Sequence, residues 1–160
     1  MSEGRIFQLS VSDGGVPKLA VREASLTAEG LAGDRQRDRR FHGGPQRAVC
    51  LFSLERLLEL QAEGHPVYPG SVGENVTVAG LDWSRLAPGA RLALGDEAVV
   101  EVTSYTSPCR NIAASFSGGD FKRISQKVNP GHSRLYARVV RPGRLTVGQT
   151  VRLLNGVEEV

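Results

Sequence analysis

Two stretches of this chain combine residue types that can do chemistry. The first is Ser107-Pro108-Cys109-Arg110, where proline fixes the backbone before a cysteine and arginine sets a permanent cation one residue beyond it. A cation beside a thiol favours the thiolate, the form that binds metal or attacks electrophiles. A ligating or nucleophilic thiolate at a strand exit and a small buried apolar residue are both compatible with this context. Cys50 differs: it stands between Val49 and Leu51 in an apolar run, so it is expected to be a core residue whose thiol pKa is raised by burial.

The second stretch is GDRQRDRRFHGGPQRAVCLFS, residues 33–53, in which Arg35, Arg37, Arg39, Arg40 and Arg47 surround the turn His42-Gly43-Gly44. Successive amides at a glycine turn can form an anion-binding nest, and arginine forks suit phosphate and carboxylate. Most charge runs are solvated surface, and Asp34 and Asp38 can pair with some of these arginines. Arg47 follows Pro45 at the start of a strand and is best placed to be held rigidly. His42, His65 and His132 lack the spacing of a zinc site, so His42 is expected to be a hydrogen-bonding loop residue. Further on, Gly73-Glu74-Asn75 forms a turn that can offer donors and an acceptor to a heterocycle, although turn asparagines usually bond their own backbone.

The elements that must position these residues are mostly strands. RIFQLSVS alternates with Phe7, Leu9 and Val11 on one face and ends at Asp13-Gly14-Gly15; PKLAVRE is a second strand and ASLTAEGLAGDR a strand or loop. RAVCLF leads to a helix capped by Ser53 and stopped by Gly64, with Leu54, Leu57 and Leu58 on one face. Val76–Val78, GARLALGD and EAVVEVTSY are further strands, the last two joined at Gly95-Asp96. NIAASFSGGDFKRISQKV reads as one or two short helices broken at Gly118-Gly119. RLYARVVRPGRLTVGQTVRLL reads as a hairpin or meander turning at Pro142-Gly143 and Gly148-Gln149. The class is therefore mainly β with a few short helices, an α+β chain organised as one domain over residues 1–160.

Composition narrows the function classes. The chain has 160 residues, a formal charge of +3 and 6% aromatics, with a pI near 9.2. The stretch from Gly33 to Arg47 contains only one aromatic, Phe41, which argues against nucleic acid as the main ligand and for a small anionic one. No run approaches the roughly 20 apolar residues of a membrane helix, and the N-terminus lacks a secretory pattern. With only two cysteines, a cytoplasmic setting with free thiols is the expectation.

Taken in order, GDRQRDRRFHGGPQRAVCLFS, SVGENVTVAGLDW, LALGDEAVVEVTSYTSPCRNI and YARVVRPGRLTVGQTVRLL resemble the MOSC family, named for the C-terminal part of molybdenum cofactor sulfurases. The resemblance implies a β-barrel that cradles the molybdenum cofactor, molybdopterin, with Cys109 as metal ligand or sulfur carrier. It also implies that Arg35, His42, Gly43, Gly44, Arg47, Asn75, Ser107 and Arg110 fall on the cofactor side. Three functions remain open. One is a reductase of N-hydroxylated small molecules fed by a separate electron-donor protein. Another is a carrier of a Cys109 persulfide charged by a cysteine desulfurase, and the third is a non-enzymatic module that binds a phosphate-bearing ligand or nucleic acid. Exposed strand ends and one amphipathic helix are compatible with a homodimer, and no membrane partner is expected.

Overall fold

The computed structural model describes residues 3–35 and 44–154. Among them run eleven strands: β1 (Glu3–Val11), β2 (Leu19–Val21), β3 (Glu23–Thr27), β4 (Gly30–Leu31), β5 (Val49–Ser53), β6 (Val76–Ala79), β7 (Arg91–Leu94), β8 (Ala98–Tyr105), β9 (Leu135–Arg141), β10 (Gly143–Thr146) and β11 (Thr150–Leu154). Seven of them close into a barrel in the order β11-β7-β8-β9-β5-β6-β1, with β1 pairing back onto β11 through Glu3–Arg5. Closure removes the exposed sheet edges that an open sheet would carry. β2 adds to the outer end of β1, and β10-β3-β4 make a separate three-stranded sheet.

β5 pairs antiparallel with β9 and parallel with β6, and all five of its residues are buried. A strand covered on both faces reads as a continuous apolar run rather than an alternation, which is what VCLF is. Ser53, at its end, accepts the Arg56 N–H at 3.1 Å and starts α1 (Leu54–Ala62). The helix buries Leu57 and Leu60, while Leu58, expected on the same face, is exposed. Residues 57 and 60 are one turn apart, whereas 58 is rotated by about 100° from 57.

β1 departs from the alternation that its sequence implies. Ile6 and Leu9 are buried, and Phe7 is 47% exposed. The register against β6 shifts between Ile6 and Gln8, so the inserted residue resets the phase of the side chains. Gly4 lies so close to β6 that a Cβ there would stand 2.2 Å from the Ala79 carbonyl oxygen; only glycine lets the two strands approach this closely.

The C-terminal strands are not a meander. β10 leaves β9 to pair with β3, and β11 pairs with β7 and β1. Between β8 and β9 the chain makes three 3-10 turns, Arg110–Ser115, Ser117–Gly119 and Phe121–Ile124, instead of α-helices. Among the described residues no helix is long and apolar enough to cross a membrane. The barrel interior is packed with branched aliphatic side chains, including Val76, Leu92, Val100 and Val151. Phe52 meets Trp83 edge-on at its flank, with ring centroids 6.3 Å apart.

Candidate functional site

Where β8 ends and β9 begins, the antiparallel pairing continues one step: Thr106 N–H donates to the Arg134 carbonyl at 2.9 Å, and Ser133 Oγ donates to the Thr106 carbonyl at 3.2 Å. This clamp fixes the direction of Thr106-Ser107-Pro108-Cys109. Cys109 then caps the 3-10 turn that begins at Arg110. Its side chain is half-buried and lines a cleft with Lys18, Cys50, Gly73, Arg134 and Tyr136. The cleft measures about 60 Å³, room for a few water-sized groups at roughly 10–15 Å³ each, and it opens outward.

Arg134 dominates the electrostatics. It is 6% exposed; Nη1 donates to the Val72 carbonyl at 2.7 Å and Nη2 reaches the Ser107 carbonyl at 3.5 Å, while buried Nε has no partner. Among the described residues no carboxylate lies within ion-pair distance of this guanidinium, although buried Glu74 is close enough to be drawn to it; such a buried cation is costly unless something negative meets it. Lys18 is buried too, but its ammonium lies 2.7 Å from Asp34, so that pair is internally neutral. Burial pushes the Tyr136 phenol up to about 12, keeping it a neutral hydrogen-bond donor. Arg47 sits 5.6 Å above the Tyr136 ring, a cation on an aromatic face.

Cys50 is buried as expected, and burial pushes its thiol pKa up. It nevertheless lines the same cleft as Cys109, with Sγ 3.9 Å from Thr106 Oγ1. Gly73 has φ +88° and presents bare backbone to the cleft; a Cβ there would meet Val16 Cγ1 at 3.2 Å. Behind it Glu74 is fully buried. Its Oε2 accepts from Gly70 N–H at 3.0 Å and Thr77 Oγ at 3.1 Å, Oε1 has no partner, and burial raises its pKa.

The residues expected at the site are thus only partly gathered. Cys109 lines the cleft, whereas Arg47 does not line it and lies over the ring of Tyr136, which does. Asn75, 0% exposed, faces the scaffold: Oδ1 accepts the Cys50 N–H at 2.9 Å, and Nδ2 donates to the Ser10 carbonyl at 3.2 Å and to Asp34 at 3.0 Å. Ser107 contributes its carbonyl through Arg134, and Arg110 is exposed to solvent. Arg35 lies 3.8 Å from exposed Asp13, two residues before Gly15 on the cleft wall. Gly44, at φ +93°, starts the 3-10 turn carrying Arg47. His42 and Gly43 lie outside the described residues, as do Arg37, Arg39 and Arg40. Sequence reading missed Arg134, Lys18 and Tyr136. Their only local signal is a basic or polar residue inside a strand-like apolar run, which is common to many surfaces.

A closed barrel thus carries, on a clamped strand exit, a cysteine that lines one cleft together with a buried arginine. The chain belongs to the MOSC domain family, whose model matches residues 38–152. It is 33% identical over 147 residues to the uncharacterized protein YflK of Bacillus subtilis (strain 168), covering 91% of this chain and 65% of YflK. Protein YiiM of Escherichia coli (strain K12) is 30% identical over 142 residues, covering 86% of this chain and 62% of YiiM. The crystal structure of Escherichia coli YiiM superimposes with a TM-score of 0.72 at 25% identity over 99% of this chain and 72% of that one. A protein of Gibberella moniliformis (strain M3125 / FGSC 7600) named "Reductase" is 26% identical over 81% of this chain, which covers 23% of its length. The chain therefore spans less than two thirds of the length of the curated relatives it matches.

The family name brings a molybdenum cofactor into question, and the cleft can be tested against one. Orphaned Nε of Arg134, the neutral phenol of Tyr136, the bare backbone at Gly73 and the half-buried Cys109 thiol fit a negatively charged, sulfur-rich group. Among the described residues no cluster of three or more His, Cys, Asp or Glu could hold a metal ion by itself.

Proposed function

We propose that this chain binds the molybdenum cofactor with Cys109 as the molybdenum ligand and reduces N-hydroxylated small molecules. The observation that supports it best is the pairing, in one cleft, of a half-buried thiol with a buried guanidinium whose Nε has no partner. The relative named a reductase supports a redox activity. When bound, the cofactor supplies a two-electron metal centre. The chain's own residues do the rest. Arg134 meets the negative charge of the bound group, with Arg47 over the Tyr136 ring as a second cation. Tyr136 keeps its proton and donates a hydrogen bond. Cys50, with its pKa raised, stays a neutral thiol, which leaves Cys109 as the ligating sulfur. In the overall reaction an N–O bond breaks, two electrons from a separate donor protein and two protons enter, and an N–H compound and water leave.

The test is molybdenum per chain, with pterin fluorescence after oxidation, for wild type and Cys109→Ser purified from a host that makes the cofactor. Near-stoichiometric metal in the wild type that falls sharply in the variant is expected, with dye-driven turnover of an N-hydroxylated base only in the former. Wild type carrying neither metal nor pterin overturns the proposal. The half-exposed thiol beside exposed Arg110 favours one second reading, transfer of sulfur through a Cys109 persulfide. A mass gain of one sulfur at Cys109 after incubation with a cysteine desulfurase and cysteine would support that alternative.

A further inference from the structure

A second, larger cavity adjoins the segment that carries Cys109. It measures about 370 Å³, within the range of roughly 300–1,000 Å³ usual for small-ligand sites. Tyr105, Ser107 and Pro108 form one wall, and Phe121, Lys122 and Lys127 face them from the last 3-10 turn and the bend after it. The two cavities thus use one strip of chain: Ser107 offers its carbonyl to Arg134, which lines the cleft, and itself lines this cavity.

The lining has a definite chemistry. Tyr105 and Phe121 are half-buried rings and Pro108 is a rigid apolar plate, a set of faces that suits a flat ring. Neither Lys122 nor Lys127 has a carboxylate within ion-pair distance among the described residues. The other cation of this stretch behaves differently, because Arg123 is tied to Glu63 at 2.7 Å. Between Tyr105 and Val128 the only acidic residue is Asp120. The cavity lining therefore combines two lysines with two aromatic rings.

We propose that this cavity binds an aromatic small molecule bearing an anionic group, phosphate or carboxylate, with the ring between Tyr105 and Phe121 and the anion at Lys122 and Lys127. This binding does not rest on the proposed function.

Calorimetry on the full chain with three probes tests it: a purine nucleoside 5′-monophosphate, the same nucleoside without phosphate, and an aromatic carboxylate such as nicotinate. The monophosphate is expected to bind more tightly than the nucleoside, and Lys122→Gln/Lys127→Gln, two exposed positions, should weaken it about tenfold, the scale of two exposed charge contacts. Nicotinate binding with the same lysine dependence would assign the anion preference to carboxylate as well as phosphate. Phe121→Leu should weaken all probes that bind. Cys109→Ser should leave the binding intact, so a failed molybdenum assay and a failed binding assay are separate results. Failure of both anions to bind, or binding indifferent to both lysines and Phe121, overturns the proposal.

Discussion

Asn75→Asp separates a scaffold role from a ligand role. The change is nearly isosteric and keeps the oxygen that accepts the Cys50 N–H. It replaces the amino group donating to the Ser10 carbonyl and Asp34 with an oxygen that repels both. Two donated bonds disappear, one to a neutral carbonyl at about 0.5–1.5 kcal/mol and one to a carboxylate at about 1.5–3 kcal/mol, giving a loss of roughly 2–4.5 kcal/mol before repulsion. With a urea slope of roughly 2 kcal/mol/M, the midpoint should drop by about 1–2 M. The sign of the pH effect follows from burial. The new carboxyl, buried beside Asp34, has its folded-state pKa raised, so the folded variant holds a proton that the unfolded chain gives up. Its deficit is therefore greatest at pH 8 and shrinks as pH falls through that raised value toward the ordinary carboxyl range. Urea unfolding of both proteins at pH 8 and pH 5, with pterin content measured in parallel, checks this. An unchanged midpoint with lost pterin would refute the reasoning and put Asn75 in contact with the ligand.

Lys18→Met should cost about 3–5 kcal/mol by leaving Asp34 charged and buried, and adding Asp34→Asn should recover most of it; an unaltered denaturation curve for the single variant would contradict the pairing. Glu74, buried with a raised pKa, contributes stability that is full below the unfolded carboxyl value and is lost as pH rises through the folded one, with a slope of up to about 1.4 kcal/mol per pH unit. Glu74→Gln should flatten that part of the stability–pH curve, and parallel curves for the two proteins would show that Glu74 does not titrate there.

Much of the fold is legible in the chain because it is local. Ser53 and Gly64 bracket α1, Gly95-Asp96 turns β7 into β8, and the apolar run VCLF becomes a strand covered on both faces. The misreadings have non-local causes. Phe7 leaves the expected face because the register against β6 shifts there, which no alternation in β1 can reveal. β10 abandons β9 because β3, more than a hundred residues earlier, offers its edge.

The site divides the same way. Pro108 before Cys109 and Arg110 after it mark a strand exit with a thiol, and the ordered motifs identify the MOSC family; residue type and order suffice for both. Arg134, Lys18 and Tyr136 come to line one cleft only when strand pairing sets β9's start against β8's end and the Val72-Gly73 stretch packs beside them. Long-range packing also turns Asn75 inward, since a fully buried amide must satisfy its donors and acceptor with whatever polar groups the fold encloses with it. The chain determined which chemistry was available; burial and long-range pairing decided which side chains face the cleft, because both depend on contacts between residues far apart in sequence.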